Sequence, residues 1–184
     1  MLHVKDIASD WAKFGTMFVV SHWLSGGSLT DRSWQMSSIF TLMGFAAYHL
    51  STRNVLTPKW EGKSQSIAND WIKVGTMLVV SRMLSGGGLG DGSWVRSTLA
   101  TLIGFTVYNI VVADYVQGKE LTYNDKLQDV INDWAKVGTM LVVSKVISCE
   151  AMLDPVWMLS AFGTLLGFTA YNLGTSHLVD AVFD

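Results

Sequence analysis

A single unit of sequence is written three times along this chain, starting at Ile7, Ile67 and Val130 and aligning without gaps at offsets of 60 and then 63 residues. The copies share Asp10/Asp70/Asp133, Trp11/Trp71/Trp134, Lys13/Lys73/Lys136, the Gly15-Thr16-Met17 triplet and the Val19-Val20-Ser21 triplet. The match continues through Asp31/Asp91/Asp154, Trp34/Trp94/Trp157, Ser37/Ser97/Ser160, Thr41/Thr101/Thr164, the Gly44-Phe45 pair and Tyr48/Tyr108/Tyr171. Self-similarity at a fixed period constrains a fold more than length does, because one supersecondary unit has to be solved first and then stacked on itself.

The unit reads as a helical hairpin. In the second copy Asn69-Asp70 is expected to open a helix, Asn as an N-cap and Asp in the first turn, where its charge suits the helix dipole. Ser9-Asp10 and Asn132-Asp133 offer the same start. An apolar run from Trp71 to Ser85 follows, and Gly86-Gly87-Gly88 ends it, since glycine accepts the left-handed conformation that terminates helices. Asp91 then caps a second helix, expected from about Ser93 to Val111; Asp154-Pro155 makes the same start explicit with proline at the first helical position. The expected fold is therefore all-α: three tandem transmembrane hairpins, six helices, with a pseudo-threefold internal repeat. Hairpins at 7–50, 67–112 and 130–179 alternate with polar linkers at 51–66 and 113–129, which carry Pro58, Gly62 and Gly118.

Composition places these helices in a membrane. Charged residues are 15% of the chain, against roughly 25% in soluble proteins, and only three are glutamates (Glu61, Glu120, Glu150). A soluble surface helix carries a charged stripe opposite its apolar one, yet 34–50 holds no Lys, Arg, Asp or Glu on any face. Trp11, Trp71 and Trp134 fall at the same level of an antiparallel hairpin as Tyr48, Tyr108 and Tyr171. Trp34, Trp94 and Trp157 mark the other level, about 21 Å away along a helix. Trp and Tyr gather at the two bilayer interfaces. Against this, each first helix offers only about 16 apolar residues where a bilayer core asks for about 20, so thin bilayer or snorkelling ends are required. Most Lys and Arg residues lie on the termini-and-linker side, which predicts that both termini and both linkers are cytoplasmic. The first ten residues lack the apolar region of a cleavable signal, so the first helix is expected to act as its own.

Small and charged positions read as architecture. Ser37-Thr41-Gly44, Ser97-Thr101-Gly104 and Ser160-Thr164-Gly167 form an i, i+4, i+7 stripe that lets helix backbones approach closely, with a hydroxyl-lined pore as the alternative. Gly15, Gly75 and Gly138 are expected to mark the facing contact on the first helix. Asp10, Trp11 and Lys13, with Asp70, Trp71 and Lys73 and with Asp133, Trp134 and Lys136, form an interface cluster. The Asp and Lys can pair within one helix turn, or the Asp of one hairpin can meet the Lys of the next; Asp, Lys and Trp together could also form a docking ring for a soluble partner. His22, Arg82 and Lys145 occupy one slot near the glycine turn, close enough to snorkel to the interface rather than relay protons inside the membrane.

No catalytic arrangement is visible: there is no phosphate-binding loop, no His-Glu-x-x-His and no nucleophile elbow, so the chain is expected not to be an enzyme. The lone Cys149, in the slot of Gly26 and Gly86, excludes an intrachain disulfide and a cysteine metal site. His3, His22, His49 and His177 recur at no common position, and neither metal nor cofactor is expected. A net charge of −2 gives no footprint for nucleic acid.

The phrase Asp-Trp-x-Lys-x-Gly-Thr-Met-x-Val-Val-Ser-x-x-Leu-Ser-Gly-Gly, followed by Asp-x-x-Trp and Leu-x-Gly-Phe-x-x-Tyr, resembles small multi-span proteins of nucleocytoplasmic large DNA viruses. These are the membrane-associated minor capsid proteins of algal-virus-type particles. Residues 10–48 and 70–108 carry the phrase fully; 133–171 departs at Cys149-Glu150. The resemblance implies a structural virion protein in the internal membrane beneath the capsid shell, reached through host endomembranes. Its partners would be the bilayer, copies of itself and other capsid or membrane proteins. A small channel or transporter using the Ser/Thr stripe, and a soluble helical-repeat adaptor, remain alternatives.

Overall fold

Chain reversal at the three glycine-type turns sets the architecture. The computed structural model describes residues 2–53, 60–116 and 124–183, which are all-helical without strands. Helices α1 (Leu2–Leu24) and α2 (Arg32–Ala47) form the first hairpin, α3 (Gly62–Leu84) and α4 (Gly92–Val107) the second, α5 (Asp125–Ile147) and α6 (Pro155–Ala170) the third. A helix α7 (Ser176–Phe183) closes the chain. Gly26 and Gly86 take the left-handed backbone at φ 77° and 73°, and Cys149 is held there at 54°. That conformation crowds a Cβ against the carbonyl and is ordinarily left to glycine. The second helix of each hairpin starts where the Asp marks it: the carboxylates of Asp31, Asp91 and Asp154 accept from the amides of Ser33, Ser93 and Val156 at 2.8, 2.9 and 3.0 Å.

The first helices differ from the sequence expectation. Each is 23 residues long, about 34 Å at 1.5 Å per residue, because it starts well before the recurrent aspartate. In the third hairpin Asn124 is the N-cap and accepts from Leu127 N–H; in the second the helix begins after Glu61. Ser9, Asn69 and Asn132 are therefore not N-caps, and Asp10, Asp70 and Asp133 are interior helical residues rather than first-turn ones. Residues 51–53, 62–66, 113–116 and 125–129, expected in linkers, are helical; 60–61 and 124 are not, and 54–59 and 117–123, with Pro58 and Gly118, lie outside the described residues.

Each second helix ends in a wider π turn: Tyr48–Thr52, Tyr108–Val112 and Tyr171–Thr175. At its start the Tyr48 amide is shared between the carbonyls of Gly44 and Phe45, and the other two tyrosines repeat this. The six long helices close into a ring. Within a hairpin the two helices touch lightly; the extensive contacts are α2 on α3, α4 on α5 and α6 back on α1. A glycine sits at the centre of each. A Cβ added to Gly44 would lie 2.6 Å from the Met77 backbone, one on Gly104 2.7 Å from Met140, and one on Gly167 2.5 Å from Met17. The facing partner is thus the backbone of Met17, Met77 and Met140. Gly15, Gly75 and Gly138 are not at this contact, since a Cβ on any of them would meet open space.

Among the described residues, Gly92–Val116 and Pro155–Phe183 are helical stretches long and apolar enough to cross a membrane, with mean hydropathy 1.6 and 1.2.

Candidate functional site: a closed ring of Asp–Lys pairs

The recurrent aspartates and lysines meet at the linker end of the ring, and they pair between hairpins. Lys13 donates to Asp133 at 2.6 Å, Lys73 to Asp10 at 2.8 Å and Lys136 to Asp70 at 2.6 Å. Each hairpin gives its Asp to the Lys of the next, and the third closes on the first. Every ammonium also lies over aromatic rings of the hairpin whose Asp it takes: Lys73 over Phe45 and Tyr48, Lys136 over Phe105 and Tyr108, Lys13 over Phe168 and Tyr171. A cation over a ring face adds electrostatic attraction, so the three lysines are fixed by both carboxylate and π contacts. The tyrosines are buried beneath them at 1 to 8% exposure. They belong to this core rather than to an interfacial belt.

The second oxygen of Asp70 and of Asp133, and the Asp10 Oδ2 that Lys73 also reaches, are held within their own hairpins by a residue of the π turn. Asn109 Nδ2 donates to Asp70 and Asn172 Nδ2 to Asp133, both at 2.7 Å; in the first hairpin His49 Nε2 contacts Asp10 at 2.7 Å. These three side chains are 5–6% exposed. The sequence reading misses them: the histidines share no common position, and the slot of His49 holds Asn109 and Asn172 in the other copies. The available signal was position: each follows the shared tyrosine.

Trp11, Trp71 and Trp134 tie the two helices of a hairpin together. Trp71 and Trp134 donate through Nε1 to the hydroxyls of Thr106 and Thr169, which in turn donate to the carbonyls of Leu102 and Leu165. Ala46 stands in the Thr slot of the first copy, and Trp11 there donates straight to the Leu42 carbonyl at 2.8 Å.

Below the charged ring lies an axial cavity of about 290 Å³. Phe14 narrows it, stacking on Phe45 at 4.1 Å and edge-on to Phe168 at 5.7 Å, where the other copies have Val74 and Val137. Thr41, Thr101 and Thr164 face this cavity from the small-residue stripe. Each donates to the carbonyl of the serine four residues earlier, Ser37, Ser97 or Ser160. The stripe therefore divides its work, glycines at the helix contact and threonines at the cavity.

At the turn end the basic slot folds back over the next tryptophan. His22 stacks on Trp34 at 4.4 Å, Arg82 lies over Trp94 and Lys145 over Trp157. Each also latches its own turn: His22 to the Ser28 carbonyl, Arg82 to Asp91 at 2.9 Å, and Lys145 to Glu150 at 2.5 Å. Gly27 and Gly87 make room for the imidazole and guanidinium, and Glu150 replaces that glycine where the basic residue is Lys145. Lys145 is buried rather than snorkelling outward. The carboxyls of Asp31 and Asp91 are held below the usual carboxylate range, chiefly by the hydroxyls of Ser33 and Ser93 and then by backbone N–H groups.

Among the described residues no group of three or more His, Cys, Asp or Glu is placed to hold a metal. The chain matches no known protein family, no curated protein and no solved structure.

Proposed function

We propose that the chain is a structural membrane protein: a pseudo-threefold ring of three hairpins seated in a bilayer. One observation carries this reading, the inverted placement of polar and apolar groups. Ile39, Met43, Leu99, Ile103, Leu159 and Phe162 project from the middle of the second helices at 38 to 51% exposure, whereas Asp10, Asn109 and Asn172 are buried at 5 to 8%. Water rewards the opposite arrangement, and large exposed apolar patches mark lipid or protein contacts. In lipid, ionisable groups turn to the bundle interior and pair with one another, as the Asp–Lys ring does. First helices of about 34 Å match the ~30 Å hydrocarbon core in length, with their polar opening turns at the interface and the apolar run of about 16 residues accommodated by a thin bilayer. The resemblance of the repeated phrase to minor capsid proteins of large DNA viruses is the ground for proposing a place in an internal virion membrane, linking bilayer and shell without catalysis. Alkaline carbonate extraction followed by flotation tests the membrane reading, and release without detergent would sink it. Retention with the membrane of purified particles after the shell is stripped tests the virion reading.

A second reading, a conduit through the ring, is favoured by the axial cavity and its three threonines. Its test is ion flux in liposomes, expected to vanish on replacing Ser97 and Thr101 with Leu while assembly persists.

A further inference from the structure

Three chambers follow one another along α1. The first, about 510 Å³, opens at the linker end between the first two hairpins, against Asp6, His49, Arg53 and Asn69. The second is the axial cavity, and Asp10 and Lys73 form the wall common to both. The third, about 550 Å³, opens at the turn end between α1 and α6, against Ser21, His22, Ser25 and Ser160; Met17, Phe18 and Thr164 wall it from the axial cavity. From Asp6 to Ser25 the series covers about 28 Å along the helix, the depth of a hydrocarbon core of ~30 Å.

The two walls differ in chemistry. At the turn end Thr164 and Ser21 hydroxyls lie 3.4 Å apart, a polar crossing. At the linker end the crossing is closed by the Lys73–Asp10 pair, and an imidazole bridges it. His49 Nε2 reaches Asp10 at 2.7 Å, inside the ring, while Nδ1 faces the outer chamber, 3.5 Å from Arg53 and 3.9 Å from Asp6. The groups facing this imidazole are Asp6 and Asp10 from α1, Asn69 and Lys73 from α3, and Tyr48 and Arg53 from its own segment. A hydrated ion has no open bore here, and the three paired acids and three paired bases leave no fixed charge to select one. A proton needs only hydrogen bonds, and imidazole is the side chain suited to taking up and releasing it near neutrality.

We propose that the three chambers form a proton path across the membrane, with His49 as the shuttle at its closed point. The inference rests on the membrane reading above. A proton from the outer chamber adds to Nδ1 and the Nε2 proton passes to Asp10 Oδ2. Asp10 then releases it into the axial cavity, where the Asp–Lys ring at one end and Thr41, Thr101 and Thr164 supply the polar partners that waters need in an otherwise apolar lining. The imidazole is left as the other neutral tautomer and resets by turning over; no oxidant or co-reactant is consumed. The shuttle is confined to the first hairpin, because the amides of Asn109 and Asn172, in the same slot, cannot relay a proton.

The test uses the full chain in liposomes with an entrapped pH dye and a potassium diffusion potential, beside a flotation assay of the same vesicles. The expected result is dye acidification at least tenfold faster than in empty vesicles, falling to the empty-vesicle rate in His49→Asn, a change that copies the side chain of the other two hairpins, and unchanged in His177→Asn. Protein that floats with the vesicles yet moves no protons overturns the path and leaves the membrane reading standing; protein that does not float overturns both. Equal flux in His49→Asn and the unmodified chain overturns the shuttle, and potassium release from the same vesicles without any ionophore, at a rate matching the proton flux, overturns the selectivity.

Discussion

The two ends of the ring solve the same problem, a cation beside aromatic rings in an apolar bundle, in opposite ways. At the linker end each lysine takes its carboxylate from the neighbouring hairpin, and Asp and Lys are identical in all three copies. At the turn end the basic residue takes its partner from its own turn, and it is His22, Arg82 or Lys145. A residue whose partner lies in another copy cannot change alone, because the change strands a charge in the neighbour. A residue whose partner lies within five to nine positions can change with it, as Glu150 has with Lys145. Between these two sets of cations, invariance accompanies a partner in another hairpin and variation a partner in the same turn.

The contrast breaks most sharply at the helix contacts that hold the hairpins in register. Gly104→Val puts a side chain into the Met140 backbone, which cannot swing aside as a side chain could. Overpacking costs about 1–3 kcal/mol, and the upper end or beyond is expected here. Gly75→Ala, on a face with open space, is expected to stabilise by about 0.5–1 kcal/mol through helix propensity alone. Thermal unfolding of the pair measures the difference; similar shifts for both would mean that the glycine contacts do not hold the ring. Next comes Asp70→Asn. It leaves Lys136 without its carboxylate, and breaking such a pair costs about 2–4 kcal/mol, the lower end reflecting the lysine's 33% exposed side chain. Glu150→Gln removes a carboxylate that is 61% exposed but faces a Lys145 side chain only 7% exposed; the glutamine oxygen still accepts from the ammonium, so about 1–2 kcal/mol is expected, between the values for surface and buried pairs. A Glu150 effect as large as that of Asp70 would erase the distinction between the two ends.

The repeat, the hairpins, the Asp caps and the glycine turns were legible in sequence because each is set by residues within a few positions. The contact order of the ring was only half legible. The alternative in which Asp meets the next hairpin's Lys could be written down, but choosing it requires knowing that second helices pack on the following first helix. The same limit misplaced Gly15, Gly75 and Gly138: a shared glycine signals a constraint without saying which neighbour imposes it. Tyr48, Tyr108 and Tyr171 looked interfacial by residue type, and burial under a lysine is decided by a chain far away in sequence. The π turn, which brings His49, Asn109 and Asn172 to the aspartates, leaves no periodicity to read over five residues.

The turn end also carries strain the other end lacks. Cys149 holds φ 54° where the other copies place glycine, and a left-handed L-residue costs about 1–2 kcal/mol. Cys149→Gly is therefore expected to stabilise the chain, by about 1 kcal/mol once the greater freedom of unfolded glycine is counted. Unfolding midpoints of the variant and parent read this directly, and a lower midpoint in the variant refutes the strain.

The smallest effect separates the caps among themselves. Asp31 and Asp91 are held ionised chiefly by a serine hydroxyl two residues on, with backbone N–H groups adding to it; Asp154 is followed by Pro155 and Val156, with no hydroxyl at that place. A carboxyl depressed in the folded state contributes stability that is fully present above its unfolded value near 3.8 and is lost as pH falls through the lower folded value. The Ser33 and Ser93 amide resonances should accordingly hold their positions from neutrality down to that range and move only below it. Asn caps a helix as well as Asp does but does not titrate. In Asp91→Asn the Ser93 resonance should therefore lose its acid transition while Ser33 keeps its own. A Ser93 transition that persists in the variant would place the titrating group elsewhere than the cap.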